Sequence, residues 1–139
     1  MTPEQRAAVC FEAKTWIGTP YHHHGRIKGV GVDCGQLLCA VYENVKLVPH
    51  IELGNYATDW HLHRSEEVYL QWLARFCQRT DTPQPGDIEV YRFGRTYSHG
   101  TIIVEGNLRV HAYVNRKVIL SAPYEEPLEG HLSQFWTLK

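Results

Sequence analysis

The sequence predicts an α+β fold, with helices in its first half and an antiparallel sheet in its second. Two observations carry this: apolar residues recur at helical spacing as far as Phe76, and beyond Pro83-Gln84-Pro85-Gly86-Asp87 the period shortens to that of strands with Gly and Asn corners. A third observation locates the chemistry. Gly31-Val32-Asp33-Cys34-Gly35-Gln36-Leu37-Leu38 places a cysteine where an apolar, helix-forming run begins.

Thr2-Pro3-Glu4-Gln5 reads as a helix start, with Thr2 as N-cap, Pro3 at the first helical position and Gln5 closing a capping box. Val9, Cys10, Ala13, Trp16 and Ile17 then form one stripe that ends at Gly18. Residues 18 to 32 hold Pro20, Gly25, Gly29 and Gly31 and read as a long loop, the usual length of a binding or active-site wall. A central buried helix follows Cys34, with Leu37, Leu38, Val41, Tyr42 and Val45 on its apolar face and Pro49 as its stop. Residues 51 to 64 lack a period and read as an extended excursion. Ser65-Glu66-Glu67 starts a further helix with Val68, Tyr69, Trp72, Leu73 and Phe76 on its inner face. Five strands are expected after the turn at Pro85-Gly86-Asp87: residues 88–93, 99–104, 108–114, 117–120 and 132–138, with Gly106-Asn107 and Asn115-Arg116 at hairpin corners.

At 139 residues the chain reads as a single catalytic domain with no added module. Fourteen basic residues against fifteen acidic ones, scattered along the chain, exclude a nucleic-acid footprint. No apolar run is long enough to span a bilayer, and Met1-Thr2-Pro3-Glu4-Gln5-Arg6 lacks the start of a secretory signal, so neither membrane insertion nor export by signal peptide is expected. Cys10, Cys34, Cys39 and Cys77 show no C-x-x-C spacing. Free thiols are expected, with Cys10, Cys39 and Cys77 buried in helices.

Cys34 is the candidate nucleophile, because unpaired amides and the positive end of the peptide dipoles at a helix start both favour a thiolate. His99 is the candidate base and His111 the group that orients it. A loop of only Gly106 and Asn107 would send the two histidines to opposite faces of their strands. A three-residue loop or a bulge pairs Thr101 with His111 and His99 with Tyr113, and that odd register, with Gly106 or Asn107 left-handed, is the prediction. The other face then carries Ile102, Val104, Val110, Ala112 and Val114. The Cys34 amide is one oxyanion donor and the Tyr21 hydroxyl a candidate second; Asp33 suits an N-cap.

These motifs together resemble the NlpC-type cell-wall cysteine peptidases of the papain-like fold. The resemblance runs from Trp16-Ile17-Gly18-Thr19-Pro20-Tyr21 through Asp33-Cys34-Gly35 and Pro85-Gly86-Asp87 to Ser98-His99-Gly100-Thr101-Ile102 and Val110-His111-Ala112. It implies hydrolysis of a peptidoglycan stem peptide between D-γ-glutamyl and a diamino acid, without a cofactor. Cys34, His99 and His111 match the catalytic residues, while Tyr21, Asp33, Gly35 and Ser98 match oxyanion or substrate-binding positions. The chain looks most like short, bare domains encoded in phage tail and prophage clusters. That likeness implies tail proteins as partners, synthesis in the bacterial cytoplasm and delivery to the wall by a virion. It departs from the family where Gly35-Gln36 replaces the usual Ser-Gly, and where Lys28 stands at the papain-like oxyanion offset.

Two other readings stand beside this one. The same fold with little turnover would be a structural piece of a tail tip. His22-His23-His24 with Asp59, His61, His63 and Glu66 would, in a metal-binding module, supply ligands, although solvated loop histidines are the commoner case and no metal is expected. Histidines directly after Tyr21 also suit a pH-sensitive cleft wall.

Overall fold

The structure, a computed structural model, describes residues 1–54, 56 and 68–139. Helix α1 (Pro3–Lys14) opens on the expected box: the Gln5 amide donates to Thr2 Oγ1 at 3.1 Å and the Thr2 amide to Gln5 Oε1 at 2.8 Å. It ends four residues before Gly18. Trp16 still reaches the core from the following turn, whereas Ile17 points outward, 44% exposed.

The loop that follows is not wholly irregular. Strands β1 (Arg26–Ile27) and β2 (Gly31–Val32) pair antiparallel, and β2 delivers the chain to helix α2 (Cys34–Asn44). Asp33 caps α2 by accepting the Gln36 amide at 2.9 Å. The helix ends at Asn44, ahead of the expected stop at Pro49: beyond its cap Lys46 takes a left-handed φ of 61°, and the Leu47 amide turns back onto the Tyr42 carbonyl at 3.0 Å. Helix α3 (Val68–Phe76) carries the expected apolar face, with Tyr69 and Leu73 buried. Its expected start at residues 65–67, and Asp59, His61 and His63, lie outside the described residues.

Among the described residues the main sheet has six strands, not five: β3 (Cys77–Arg79), β4 (Ile88–Phe93), β5 (Thr96–Val104), β6 (Leu108–Ala112), β7 (Val118–Ser121) and β8 (Ser133–Leu138), in the order β3-β8-β4-β5-β6-β7, with every pairing antiparallel. The additional strand begins at Cys77, which was expected inside a helix. Three residues are too few for an alternation to show, and only the partner β8, some sixty positions on, defines it. β5 starts three residues before its expected position because Gly94, at φ 67°, closes a tight hairpin with β4.

One face of the sheet packs on the helices. Ile88, Val90, Ile102, Val104, Val110, Ala112 and Val118 are fully buried there and form a single core with Val9, Ala13, Leu37, Val41 and Leu73. Val114 was expected to join them but is 43% exposed, since β6 ends at Ala112 and the chain turns at Asn115, φ 62°. The other face is buried but polar, carrying Glu89, Thr101, Arg109, His111 and Ser121. Glu89 and Arg109 form an ion pair there at 2.6 Å, and the Ser133 hydroxyl donates to Glu89 at 2.7 Å.

Candidate active site

The β5–β6 hairpin sets the geometry of the histidines. Ile102 pairs with Val110, Ile103 with Arg109 and Val104 with Leu108, leaving three residues in the loop. Gly106 and Asn107 both take positive φ, 80° and 58°. This is the odd register, and it turns His99 and His111 to the same face. His99 Nε2 and His111 Nδ1 lie 2.8 Å apart with the rings edge to face.

His111 is fully buried, and its other nitrogen, Nε2, lies 3.0 Å from Ser121 Oγ. Burial, aided by the charge of Arg116, holds its pKa down to about 4. The ring is therefore neutral near pH 7, and its single proton must sit on one nitrogen or the other. A hydroxyl can donate or accept, so Ser121 accommodates either tautomer and ties the ring in place. Ser121 was not among the sequence candidates, because only the β6–β7 pairing brings it to His111. The other side of His99 is walled by Phe93 and Tyr113, with ring centroids at 5.1 and 5.5 Å.

Cys34 meets β5 just past the end of the β5–β6 ladder. Its thiol lies 3.6 Å from the Ser98 carbonyl oxygen, and the Gly100 amide donates toward the sulfur, so the sulfur contacts backbone on both sides of His99. Gly100 cannot be anything larger. A Cβ there would come within 2.0 Å of the Tyr69 hydroxyl and 3.0 Å of Leu38 Cδ2.

The expected activation of Cys34 by its helix start is outweighed. The amides of Cys34 and Gly35 do favour the thiolate, but burial and the neighbouring Asp33 carboxylate push the thiol up to about 12. At rest the sulfur is protonated. Burial, with the Asp33 carboxylate nearby, raises the Tyr21 phenol above the ordinary range and keeps it a hydrogen donor. Its segment is tied to the one leading into Cys34, with the His22 amide donating to the Val32 carbonyl at 3.1 Å and the Val32 amide to Pro20 at 3.0 Å.

Asp33 serves more than its own helix. Besides the Gln36 amide, it accepts the His24 amide at 2.8 Å and the Tyr56 hydroxyl. His23 and His24 stack at 3.9 Å and both reach the Tyr56 carbonyl, at 2.7 and 3.0 Å. Gln36 joins the same net by accepting from Arg26 at 2.6 Å and donating to Tyr56 at 3.2 Å. Two members of the histidine triplet are thus structural clips on Tyr56. Among the described residues no group of three His, Cys, Asp or Glu side chains is placed to hold a metal ion. Gly35 has Leu53 over it, so a Cβ would sit 3.2 Å from Leu53 Cδ1. Of Ser98, the backbone carbonyl is what meets the sulfur. Lys28 is held away from the site by Glu12 at 3.0 Å and by the Trp16 ring. A cavity of about 220 Å³ opens beside Cys34 and runs between α2 and α3.

Fold and site together define an α+β domain in which a helix-start cysteine meets the sheet beside a buried pair of histidines. Residues 18–137 match the NlpC/P60 family profile, and the chain belongs to that family. It is similar over 96% of its length to the crystal structure of the NlpC/p60 domain of the peptidoglycan hydrolase SagA, covering 98% of that chain at 18% identity and a TM-score of 0.61. A protein of Staphylococcus aureus described as similar to a lipoprotein of the NLP/P60 family matches at 21% identity and a TM-score of 0.64, and an NlpC/P60 family protein of Bacillus cereus at 15% and 0.60. The chain spans only 42% and 39% of those two longer proteins. Among curated proteins none matches it.

Proposed function

We propose that this protein is a cysteine endopeptidase that hydrolyses peptidoglycan stem peptides at the bond between D-γ-glutamyl and a diamino acid. The observation that carries the reading is the buried 2.8 Å contact between His99 and His111, built by a hairpin whose neighbouring backbone holds the Cys34 sulfur. Membership of the NlpC/P60 family supports it, as does the fold shared with a domain of a peptidoglycan hydrolase.

In this mechanism His99 takes the Cys34 proton as the sulfur attacks the scissile carbonyl carbon. Because the thiol is held up to about 12, the proton leaves only as the base receives it. Neutral His111 accepts from the resulting imidazolium, and Ser121 holds His111 in the matching tautomer. The Cys34 amide and the Tyr21 hydroxyl donate to the oxyanion. His99 then protonates the departing amine, and water releases the acyl group from sulfur. Asp33 and Gly35 shape the acidic, glycine-floored wall beside the sulfur, and Ser98 supplies the backbone against which it rests. Delivery by a phage tail is the route implied by the motif pattern, with tail proteins as partners.

The test is digestion of purified muropeptides, with products read by mass. Wild-type protein should release fragments cut after D-γ-glutamyl, and Cys34→Ala should lower the rate at least about a thousandfold while leaving the melting curve unchanged. Equal activity in the variant would remove the nucleophile and with it the proposal.

A further inference from the structure

We infer that Arg116 is a carboxylate-binding residue of the cleft, taking a free carboxylate of the stem peptide beside the scissile bond. The inference rests on the peptidase reading and adds a recognition element that neither the motif pattern nor the family match assigns.

Arg116 occupies the exposed corner between β6 and β7, yet its backbone is held from both sides. Its amide donates to the Tyr113 carbonyl at 3.0 Å, and its carbonyl accepts the Tyr21 amide at 2.9 Å. The second bond stitches the corner to the segment that brings Tyr21 to the nucleophile, a join continued by Gly18 and Val118 at 2.9 Å and by Val118 and Thr19 at 2.7 Å. The side chain is steered as well. Its guanidinium carbon lies 5.7 Å from the centroid of the Tyr113 ring, which itself stands edge-on to His99 at 5.5 Å. One aromatic ring therefore separates the cation from the candidate base, and the charge is felt at His111.

Among the described residues no carboxylate pairs with Arg116; the buried acids Asp33 and Glu89 are otherwise engaged, Asp33 by Tyr56 and backbone amides, Glu89 by Arg109 and Ser133. An exposed arginine held over an aromatic ring that itself stands against His99, and without an acid of its own among the described residues, offers a planar fork of donors near the candidate base. A carboxylate fits that fork in bidentate fashion. The chemistry of the substrate provides one: a γ-linked glutamyl residue keeps its α-carboxylate free, a short methylene tether from the scissile carbonyl. A diamino acid on the leaving side can provide another when it is diaminopimelate.

The experiment compares wild type, Arg116→Gln, Arg116→Lys and Lys117→Gln on three peptides: L-Ala-γ-D-Glu-diaminopimelate, the same peptide amidated at the glutamyl α-carboxyl, and the same peptide with lysine as third residue. The expected result is a KM raised about tenfold by Arg116→Gln on the first peptide, with kcat within about twofold. That penalty should vanish on whichever analogue lacks the carboxylate that Arg116 takes, which names the group. Arg116→Lys should recover part of the loss, and Lys117→Gln, the adjacent exposed cation, should show none. An equal effect on all three peptides, or no effect on any, overturns the inference while leaving the peptidase reading intact. Should wild-type protein cleave none of the three, the peptidase reading falls instead, and calorimetric binding of all three peptides to wild type and Arg116→Gln decides the matter. Discrimination between them that depends on Arg116 supports the carboxylate site, and its absence overturns it.

Discussion

Asp33 shows how much one carboxylate can do when it stands at a helix start beside a thiol. It caps α2, fastens His24 and Tyr56, and raises the barrier to ionising Cys34. Asp33→Asn keeps an oxygen for the Gln36 amide and removes the charge. Alkylation of Cys34 by iodoacetamide at pH 8 should therefore speed up about tenfold, while chemical denaturation shows a loss of about 1–2 kcal/mol. An unchanged alkylation rate would mean that the carboxylate does not govern the sulfur. Cys34, the histidines and Asp33 were legible in the sequence because each sits at a landmark: a helix start, or a strand position read against a hairpin corner. Ser121, Gln36, Tyr56 and Arg116 were not. Their roles arise from contacts between segments distant in sequence, and a hydrogen-bonded serine on a strand carries no local mark.

At the scale of elements, the site depends on how closely α2 and α3 approach β5. Gly100 is the gauge of that approach, with the Tyr69 hydroxyl and Leu38 filling the space a side chain would need. Gly100→Ala should cost about 3 kcal/mol in a urea titration and disturb the backbone beside the sulfur. Adding Tyr69→Phe, which removes the hydroxyl nearest the new methyl, should restore part of the loss; a double variant no better than the single one would place the strain elsewhere. The helices and most of the strands could be read from periodicity and caps. The ends could not, since α2 ends at Asn44, just ahead of left-handed Lys46, and β5 extends back to Thr96 through a hairpin fastened by Gly94. The Pro85-Gly86-Asp87 turn was visible as a turn, but its anchorage was not. Asp87 pairs with Arg6 of α1 at 2.9 Å, and the Gly86 carbonyl accepts the Tyr42 hydroxyl of α2 at 2.6 Å, so this turn clamps both helices to the sheet.

For the whole molecule, the polar face of the sheet makes stability depend on acidity. The folded pKa of His111, about 4, lies below the ordinary value of 6.5, so the unfolded chain binds more protons between these limits. Stability is therefore highest above pH 6.5 and falls as the pH is lowered toward 4, by about 3 kcal/mol in all from this residue. Urea titrations at pH 7 and pH 4.5 should show the loss in wild type and a flatter response in His111→Gln; equal slopes would deny the buried ring its part. The antiparallel sheet and the helices before it were foreseeable from the change of period, whereas the sixth strand was hidden in a three-residue segment. The order β3-β8-β4 has a further meaning for the birth of this protein. Among the described strands β3 pairs with β8 alone, and β4 has β8 as its second neighbour, so a ribosome must carry synthesis to the end of β8 at residue 138 before β3 can join the rest of the sheet. Until then a nascent chain already holding Cys34, His99 and His111 lacks the strand that joins β3 to β4, and the sheet that carries both histidines is completed last of all.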